Sequence, residues 1–238
     1  MKSQLLQSKK LKYLAIFAGI VFVAIVTFTS VLYFSHSARQ KFLGGTVYAG
    51  IAYGYNELRP YANFGNTASC IEDLKTQALE FSPVTKFRTQ SCVVEHGIHI
   101  TLIGEAMLFP PAITTCSLAK SLIAWEKQIQ NSARKLLNGK IKKIHHIGTY
   151  NCRSGPMPKV LSEHAYANAI DVTGITTDAE IFISIRDDWH GDAKEALFVR
   201  AIATNACQPF SLVLTPNSNE AHADHIHLDN GLYLGGDC

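Results

Sequence analysis

The sequence predicts an α+β fold: a small antiparallel sheet flanked by helices, with a transmembrane helix at the N-terminus. Three observations lead there. Residues 13–34, YLAIFAGIVFVAIVTFTSVLYF, run without a charged side chain. Further on, Leu118, Leu122, Trp125, Ile129 and Leu136 recur at spacings near three and four, one apolar stripe of a helix. The remaining elements read helix, strand, loop, strand, helix, strand, strand, an irregular order that suits α+β better than repeated βαβ units.

The apolar N-terminal run is long enough to span a bilayer, since a helix rising about 1.5 Å per residue crosses a ~30 Å hydrocarbon core in about 20 residues. Tyr13 and Tyr33 stand near its ends, where amphipathic rings favour the interface. Lys2, Lys9, Lys10 and Lys12 precede it and no acidic residue occurs before residue 36, so the positive-inside rule keeps the N-terminus cytoplasmic. Arg39 and Lys41 on the far side act weakly against that orientation. The rival is a cleaved signal peptide. Its apolar region is normally about 7–15 residues, and SHSA at 35–38 is a poor cleavage site. The chain then divides into a basic segment (1–12), a membrane span (13–34), a linker rich in Gly, Tyr, Asn and Ala (35–65) and a folded body (66–238).

The formal charge of +3 belongs to the N-terminus: without those four lysines, 18 basic side chains face 19 acidic ones. A near-neutral body has no electrostatic reason to bind nucleic acid. All six cysteines follow the apolar run, and none forms a CxxC pair. An even number on the outer side of a membrane reads as three disulfides rather than a zinc ribbon or a thioredoxin-type motif. Six cysteines allow 15 pairings, and spacing alone does not choose among them.

Within the body, SCIEDLKTQALEF suggests a short helix with Ser69 as N-cap and Asp73 near its start. CVVEHGIHITLIG has strand character with a turn expected near Gly97, and its His96 and His99 read as surface or packing residues. The long helix follows, capped by Thr114 or Thr115 and closed by Gly139. KIKKIHHIGTY reads as a strand, which sends His145 and His146 to opposite faces. AEIFISI reads as a strand. GDAKEALFVRAIATNAC reads as a second helix, capped by Asp192, with Ala196, Val199, Ile202, Ala203 and Ala206 inward. FSLVLT, the turn PNSNEA and a last strand entered through HADHIHL complete the chain.

The chemistry concentrates in two places. His225 and His227, at i and i+2, share a face if the segment is a strand. HxH alone is a weak signal. Some sixty residues earlier, SEHAYANAID contains His164 and Asp171, and a carboxylate among small apolar residues is costly unless a cation meets it. An arginine would meet the need. With the HxH segment available, a metal held by nitrogen and oxygen donors is the stronger reading.

The motifs TYNCRS, LSEHAYANAIDV, DW, ACQPF and NEAHADHIHLD with a terminal cysteine occur in order over roughly residues 66–238. Together they resemble the bacterial extensin-like C-terminal domain family. That family is similar to zinc peptidases that include lysostaphin, D-Ala-D-Ala carboxypeptidases and penicillin-insensitive murein endopeptidases. Their shared pattern, S-x-H-x-x-G-x-A-x-D followed by H-x-H, is matched by Ser162, His164, Ala169 and Asp171, with Ala167 in place of the glycine. The resemblance implies His164, Asp171 and His227 as zinc ligands and His225 as the base beside the attacking water. It places Asp224 at a second candidate base position, and His222 where the endopeptidases carry a histidine in the cleft. It implies Arg153 as a substrate-gripping cation, with a structural ion pair as its other reading, and Ser162 as a further substrate contact. Asp229 and Asp188 are candidates to hold a ligand imidazole. Proximity and the resemblance together suggest a Cys70–Cys92 disulfide.

The implied function is hydrolysis of an amide in peptidoglycan stem peptides or cross-links by zinc-activated water. The enzyme would be a D,D-carboxypeptidase or endopeptidase tethered to the bacterial inner membrane, with its body in the periplasm. The alternatives are a non-catalytic zinc-containing cell-wall-binding module and a disulfide-stapled structural domain without metal.

Overall fold

The computed structural model describes residues 21–27, 67–77, 79–89, 92–155, 161–231 and 235–238. The chain divides into two units, Met1–Ile51 and Ala52–Cys238. In the first, residues 21–27 are helical with their side chains exposed. The rest of the expected span 13–34 and the whole linker 35–65 lie outside the described residues. Among the described residues no helix is long and apolar enough to cross a membrane.

The second unit holds four α-helices among its described residues: α1 (Thr67–Lys75), α2 (Cys116–Leu136), α3 (Ile185–Asp188) and α4 (Lys194–Ala206). Its strands are β1 (Leu79–Thr89), β2 (Cys92–Ile103), β3 (Ala106–Thr114), β4 (Ile141–His146), β5 (Ala169–Thr177), β6 (Phe182–Ser184), β7 (Leu212–Leu214), β8 (Ile226–Asp229) and β9 (Gly235–Gly236). The α+β class holds, but the sheet is neither small nor purely antiparallel. Nine strands run in the order β1-β2-β3-β4-β5-β8-β7-β9, with β6 paired to β5. The β3–β4 and β7–β9 pairs are parallel.

Prolines explain why two strands went unseen in the sequence. Pro83 lies on β1, an edge strand, where a missing N–H costs no ladder bond on the free side. On β3, Pro110 and Pro111 fall where pairing with β2 is interrupted, between Leu102↔Met107 and Ile100↔Ala112. Gly97 is no turn. It lies inside β2 opposite Val84, and an added Cβ would stand 3.1 Å from Ile113.

Helix α2 follows its periodicity. Leu118, Leu122, Trp125 and Ile129 are fully buried, and Leu136 packs at the margin of the core. Thr115 is the N-cap, its hydroxyl accepting from the Leu118 N–H at 3.1 Å. At the other end Asn138, not Gly139, takes the left-handed conformation (φ 54°). Helix α4 buries Ala196, Val199, Ile202, Ala203 and Ala206 as expected, and the Trp125 indole donates to the Ile202 carbonyl at 2.8 Å. Its N-cap is Ala193 rather than Asp192, without a side-chain bond. Ser69 likewise lies inside α1 and not at its cap. The AEIFISI segment is a three-residue strand that turns directly into α3.

These helices share one core with one face of the sheet, built from Leu108, Ile144, Ile170, Val172, Ile175, Ile183, Ile226 and Leu228. By strand alternation Asp171 and His227 stand on the opposite face. Three disulfides staple the unit: Cys70–Cys116, Cys92–Cys152 and Cys207–Cys238. The expected Cys70–Cys92 bridge is therefore wrong. Cys70 on α1 meets the first residue of α2, and Cys92, opening β2, reaches the loop after β4.

Candidate metal centre

His164, Asp171 and His227 arrive from three different elements. Asp171 on β5 and His227 on β8 are register partners across an antiparallel pair, so their side chains share a face. His164 comes from a 3-10 turn, Glu163–Tyr166. Ser162 caps that turn, its hydroxyl accepting from the His164 N–H at 3.3 Å. Ala167 ends it in the left-handed conformation (φ 54°), which glycine adopts more readily than alanine. The turn is pinned to the helix layer. The Thr115 N–H donates to the Ala167 carbonyl at 2.9 Å, and the Thr115 hydroxyl to Asn168 Oδ1 at 2.8 Å.

One ligand atom from each of the three residues lies within 4.8 Å of the others. His164 Nε2 stands 3.2 Å from His227 Nδ1 and 3.2 Å from Asp171 Oδ2, and His227 Nδ1 stands 2.8 Å from Asp171 Oδ1. The outer nitrogens are committed elsewhere. His164 Nδ1 faces the Thr149 carbonyl at 3.3 Å, and His227 Nε2 faces Asp229 Oδ2 at 3.0 Å. Both partners only accept, so both outer nitrogens carry the proton. In neutral rings the inner nitrogens then present lone pairs to each other beside a carboxylate. Such an arrangement calls for a cation, whether a proton or a metal.

The electrostatics of the metal-free protein say the same. Burial alone would lower the His227 pKa, but hydrogen bonds to Asp171 and Asp229 override it and raise the imidazole to about 9. Burial would raise Asp171, yet His164 and His227 hold its carboxyl far below the usual range.

Around this trio the HADHIHLD segment sorts by role. His225 is buried, its Nε2 3.6 Å from Asp171 Oδ1 and its Nδ1 donating to Asp224 Oδ1 at 2.8 Å. Asp224 Oδ2 accepts from Arg186 on α3 at 2.7 Å. Both oxygens of Asp224 are thus engaged away from the cluster, and His225 followed by Arg186 lowers its pKa. His222 lines the site, its ring 5.1 Å from that of His225 and 6.0 Å from that of His227. Its Nδ1 bonds Asn219 Oδ1 at 2.8 Å, and burial with the charges of His225 and His227 lowers its pKa to about 4.

Of the two carboxylates expected to hold a ligand ring, Asp229 does so. Asp188 does not: it accepts from the Ser184 N–H at 2.7 Å and braces the start of α3. The Arg153 side chain is exposed and makes no ion pair among the described residues, while its carbonyl accepts from the Ser162 N–H at 3.1 Å. Sequence reasoning missed the Thr149 carbonyl and Arg186. A backbone carbonyl has no residue signature, and nothing in IRDDW marks its arginine.

The extensin-like protein C-terminus family matches residues 68–236, most of the chain and nearly all of the second unit. No curated protein and no solved structure matches the chain. The candidate centre, its capping residues and the three disulfides fall within the matched range or at its edge, and the chain belongs to the extensin-like protein C-terminus family.

Proposed function

We propose that the protein is a zinc-dependent hydrolase of the peptidase type, acting on peptidoglycan stem peptides or cross-links. The observation that carries this reading is the convergence of His164, Asp171 and His227 within 4.8 Å of one another, with His164 Nε2 facing His227 Nδ1 at 3.2 Å. Zinc–ligand bonds of about 2.0–2.1 Å in tetrahedral geometry separate ligand atoms by roughly 3.3 Å. Here the two imidazole nitrogens are 3.2 Å apart, and each lies within reach of one oxygen of Asp171, Oδ2 at 3.2 Å from His164 and Oδ1 at 2.8 Å from His227. Two imidazoles and a carboxylate also suit an open catalytic site better than a closed structural one, where cysteine dominates.

Zinc at these residues would supply a water that ionises near pH 7 and a Lewis acid for a peptide carbonyl. The chain's own residues do the rest. Asp224 accepts a hydrogen bond from the Nδ1–H of His225, which leaves Nε2 to accept a proton on the side of Asp171. Asp224 is therefore the carboxylate that orients the base rather than a second base. His222 forms a wall of the site, and the exposed guanidinium of Arg153 is available to a substrate carboxylate or carbonyl. Ser162 acts through the His164 turn that it caps. Three disulfides suit an oxidising compartment, and residues 13–34 would hold the body at the outer face of the inner membrane, within reach of the wall.

Incubation of the protein with purified muropeptides, with and without chelator, tests this by mass spectrometry. The expected result is a chelator-sensitive amide cleavage that His164→Ala and His227→Ala abolish together with bound zinc. Bound zinc without any product would make the domain a non-catalytic wall-binding module. Full zinc content in both variants would remove the centre.

A further inference from the structure

Besides the metal cluster, the sheet face opposite the core carries a row of rings. Phe109 on β3 is the register partner of His145 on β4, and His145 is the partner of Gly174 on β5. Their neighbours Leu108, Ile144 and Ile175 belong to the core, so Phe109, His145 and Gly174 face away from it. Phe182 on β6 joins them by leaning across β5. Its ring occupies the space above Gly174, where an added Cβ would stand 2.6 Å from Phe182 Cζ. The glycine lets Phe182 reach over the strand to His145, with centroids 5.0 Å apart, while Phe109 meets the other side of His145 at 5.4 Å. Both contacts are edge-to-face, an arrangement that fixes ring orientation.

The rings are held but not covered: Phe109 is 49% and Phe182 53% exposed. Met107 and Ile147 add exposed apolar surface at either side. Ile147 links the row to the metal cluster, because its N–H donates to the Asp171 carbonyl at 3.0 Å and its side chain is two residues from His145. Polar groups fringe the rings. Lys143 Nζ sits 5.7 Å from the Phe109 centroid, and His145 Nε2 bonds Thr176 Oγ1 at 2.7 Å. Lys143 makes no ion pair among the described residues, whereas the adjacent Lys142 pairs with Glu180.

We propose that Phe109, His145 and Phe182 form a stacking platform for saccharide rings, which seats the glycan strand beside the peptide presented to Asp171. This inference rests on the peptidoglycan reading above. A pyranose has an apolar C–H face and a rim of hydroxyls, so it is matched by half-exposed rings with donors at their edges. A stem peptide is covalently joined to such a glycan. Asp171 and the ring row share one face of the sheet, so a single surface would carry both the peptide and its sugar. The Lys143 ammonium, which makes no ion pair among the described residues, also suits a polymer that carries carboxylates.

The test titrates the full-length protein in detergent with peptide-free glycan strands of N-acetylglucosamine and N-acetylmuramic acid, and separately with the free stem peptide. The wild type is expected to bind the glycan, and F109A/F182A to weaken it by roughly tenfold or more while zinc content stays unchanged. H164A is expected to keep glycan binding, because the platform does not depend on the metal. Gly174→Ala, whose added Cβ would meet both the Phe182 ring and the Ile183 carbonyl, removes no ring but shifts β6 and should weaken binding too. In the wild type the His145 ring protons should shift in NMR spectra on adding glycan and not on adding peptide. Absence of glycan binding, equal binding by F109A/F182A, or a self-association that those substitutions disperse would each overturn the platform. Glycan binding by a protein that holds no zinc and cleaves nothing would keep the platform and overturn the hydrolase.

Discussion

His164 Nε2 and His227 Nδ1 face each other at 3.2 Å, each with its other nitrogen pinned by an acceptor, the Thr149 carbonyl and Asp229. The two rings come from a 3-10 turn and from a strand 63 positions apart, and the carboxylate of Asp171 closes the triangle.

Metal removal comes first. Because the cluster exists only in the folded chain, metal binding stabilises the fold by mass action, about 4 kcal/mol at a thousandfold excess over Kd. Chelation should lower the thermal midpoint of the wild type and leave that of H164A or H227A unchanged. Elemental analysis of the same samples checks that the shift follows bound zinc.

The metal-free protein should show a particular pH dependence. The His227 pKa is raised from 6.5 to about 9 by its two carboxylate partners, against the effect of burial. A raised pKa means a stabilising contribution that is fully present below about 6.5. It is lost as pH rises through about 9. Thermal midpoints of the chelated protein should therefore fall between these values. Asp171→Asn, which removes one of the two partners, should flatten the fall.

Asp224 and Arg186 should separate by magnitude. Asp224 accepts from His225 at 2.8 Å, and the carboxylate partners of metal-bound imidazoles, a comparable arrangement, are worth about 10- to 100-fold in activity. Asp224→Asn should lower kcat by about that factor with zinc content intact. Arg186 reaches Asp224 from the surface, its side chain 68% exposed, and exposed ion pairs are worth about 0.2–1 kcal/mol. Arg186→Ala should therefore cost less than roughly sixfold. Cleavage of the muropeptide by each variant measures both.

The disulfide pairing can be read by non-reducing peptide mapping, which should return Cys70–Cys116, Cys92–Cys152 and Cys207–Cys238. Cys92–Cys152 anchors the loop whose Asn151 N–H donates to the His164 carbonyl at 3.0 Å. Replacing both of its cysteines by serine should cost about 2–5 kcal/mol and weaken zinc binding. Denaturant titration and zinc competition record the two effects.

A test away from the site concerns Glu126. It is buried on α2, accepting from Gln130 Nε2 at 2.8 Å and from the Glu105 N–H at 3.1 Å, and burial raises its pKa. Its favourable contribution is present below the ordinary glutamate range and is lost as pH rises through the raised value. Glu126→Gln can keep both accepted bonds through Oε1. The substitution should raise the thermal midpoint at pH 7 and leave it nearly unchanged at pH 4.

Much of the fold was legible where a segment's own pattern decides its structure. The α2 stripe and its Thr115 cap depend on residues three and four apart, and so do the inward positions of α4. Local pattern failed where neighbours decide. Pro110 and Pro111 argue against a strand until the interrupted β2–β3 ladder gives them room. Gly97 suggests a turn until its pairing with Val84 and the close approach of Ile113 place it inside β2. Asp188 looked available to a histidine, but the turn into α3 uses it first.

The sequence by itself determined the residue chemistry and the family: the spaced His, Asp and Cys motifs, the near-neutral body and the long uncharged N-terminal run are all visible in one dimension. Only the tertiary structure decided which side chains meet. It set Asp171 opposite His227 across β5 and β8, brought His164 onto them from a turn tied to α2, and joined Asp224 to His225 by a hydrogen bond. It also paired cysteines that sequence proximity and the resemblance had misassigned, and laid the Phe182 ring over Gly174 against His145. The physical reason is the same in each case. Motif spacing is set along the chain, whereas hydrogen bonds, disulfides and ring contacts are set across strands, and register is a property of the assembled sheet.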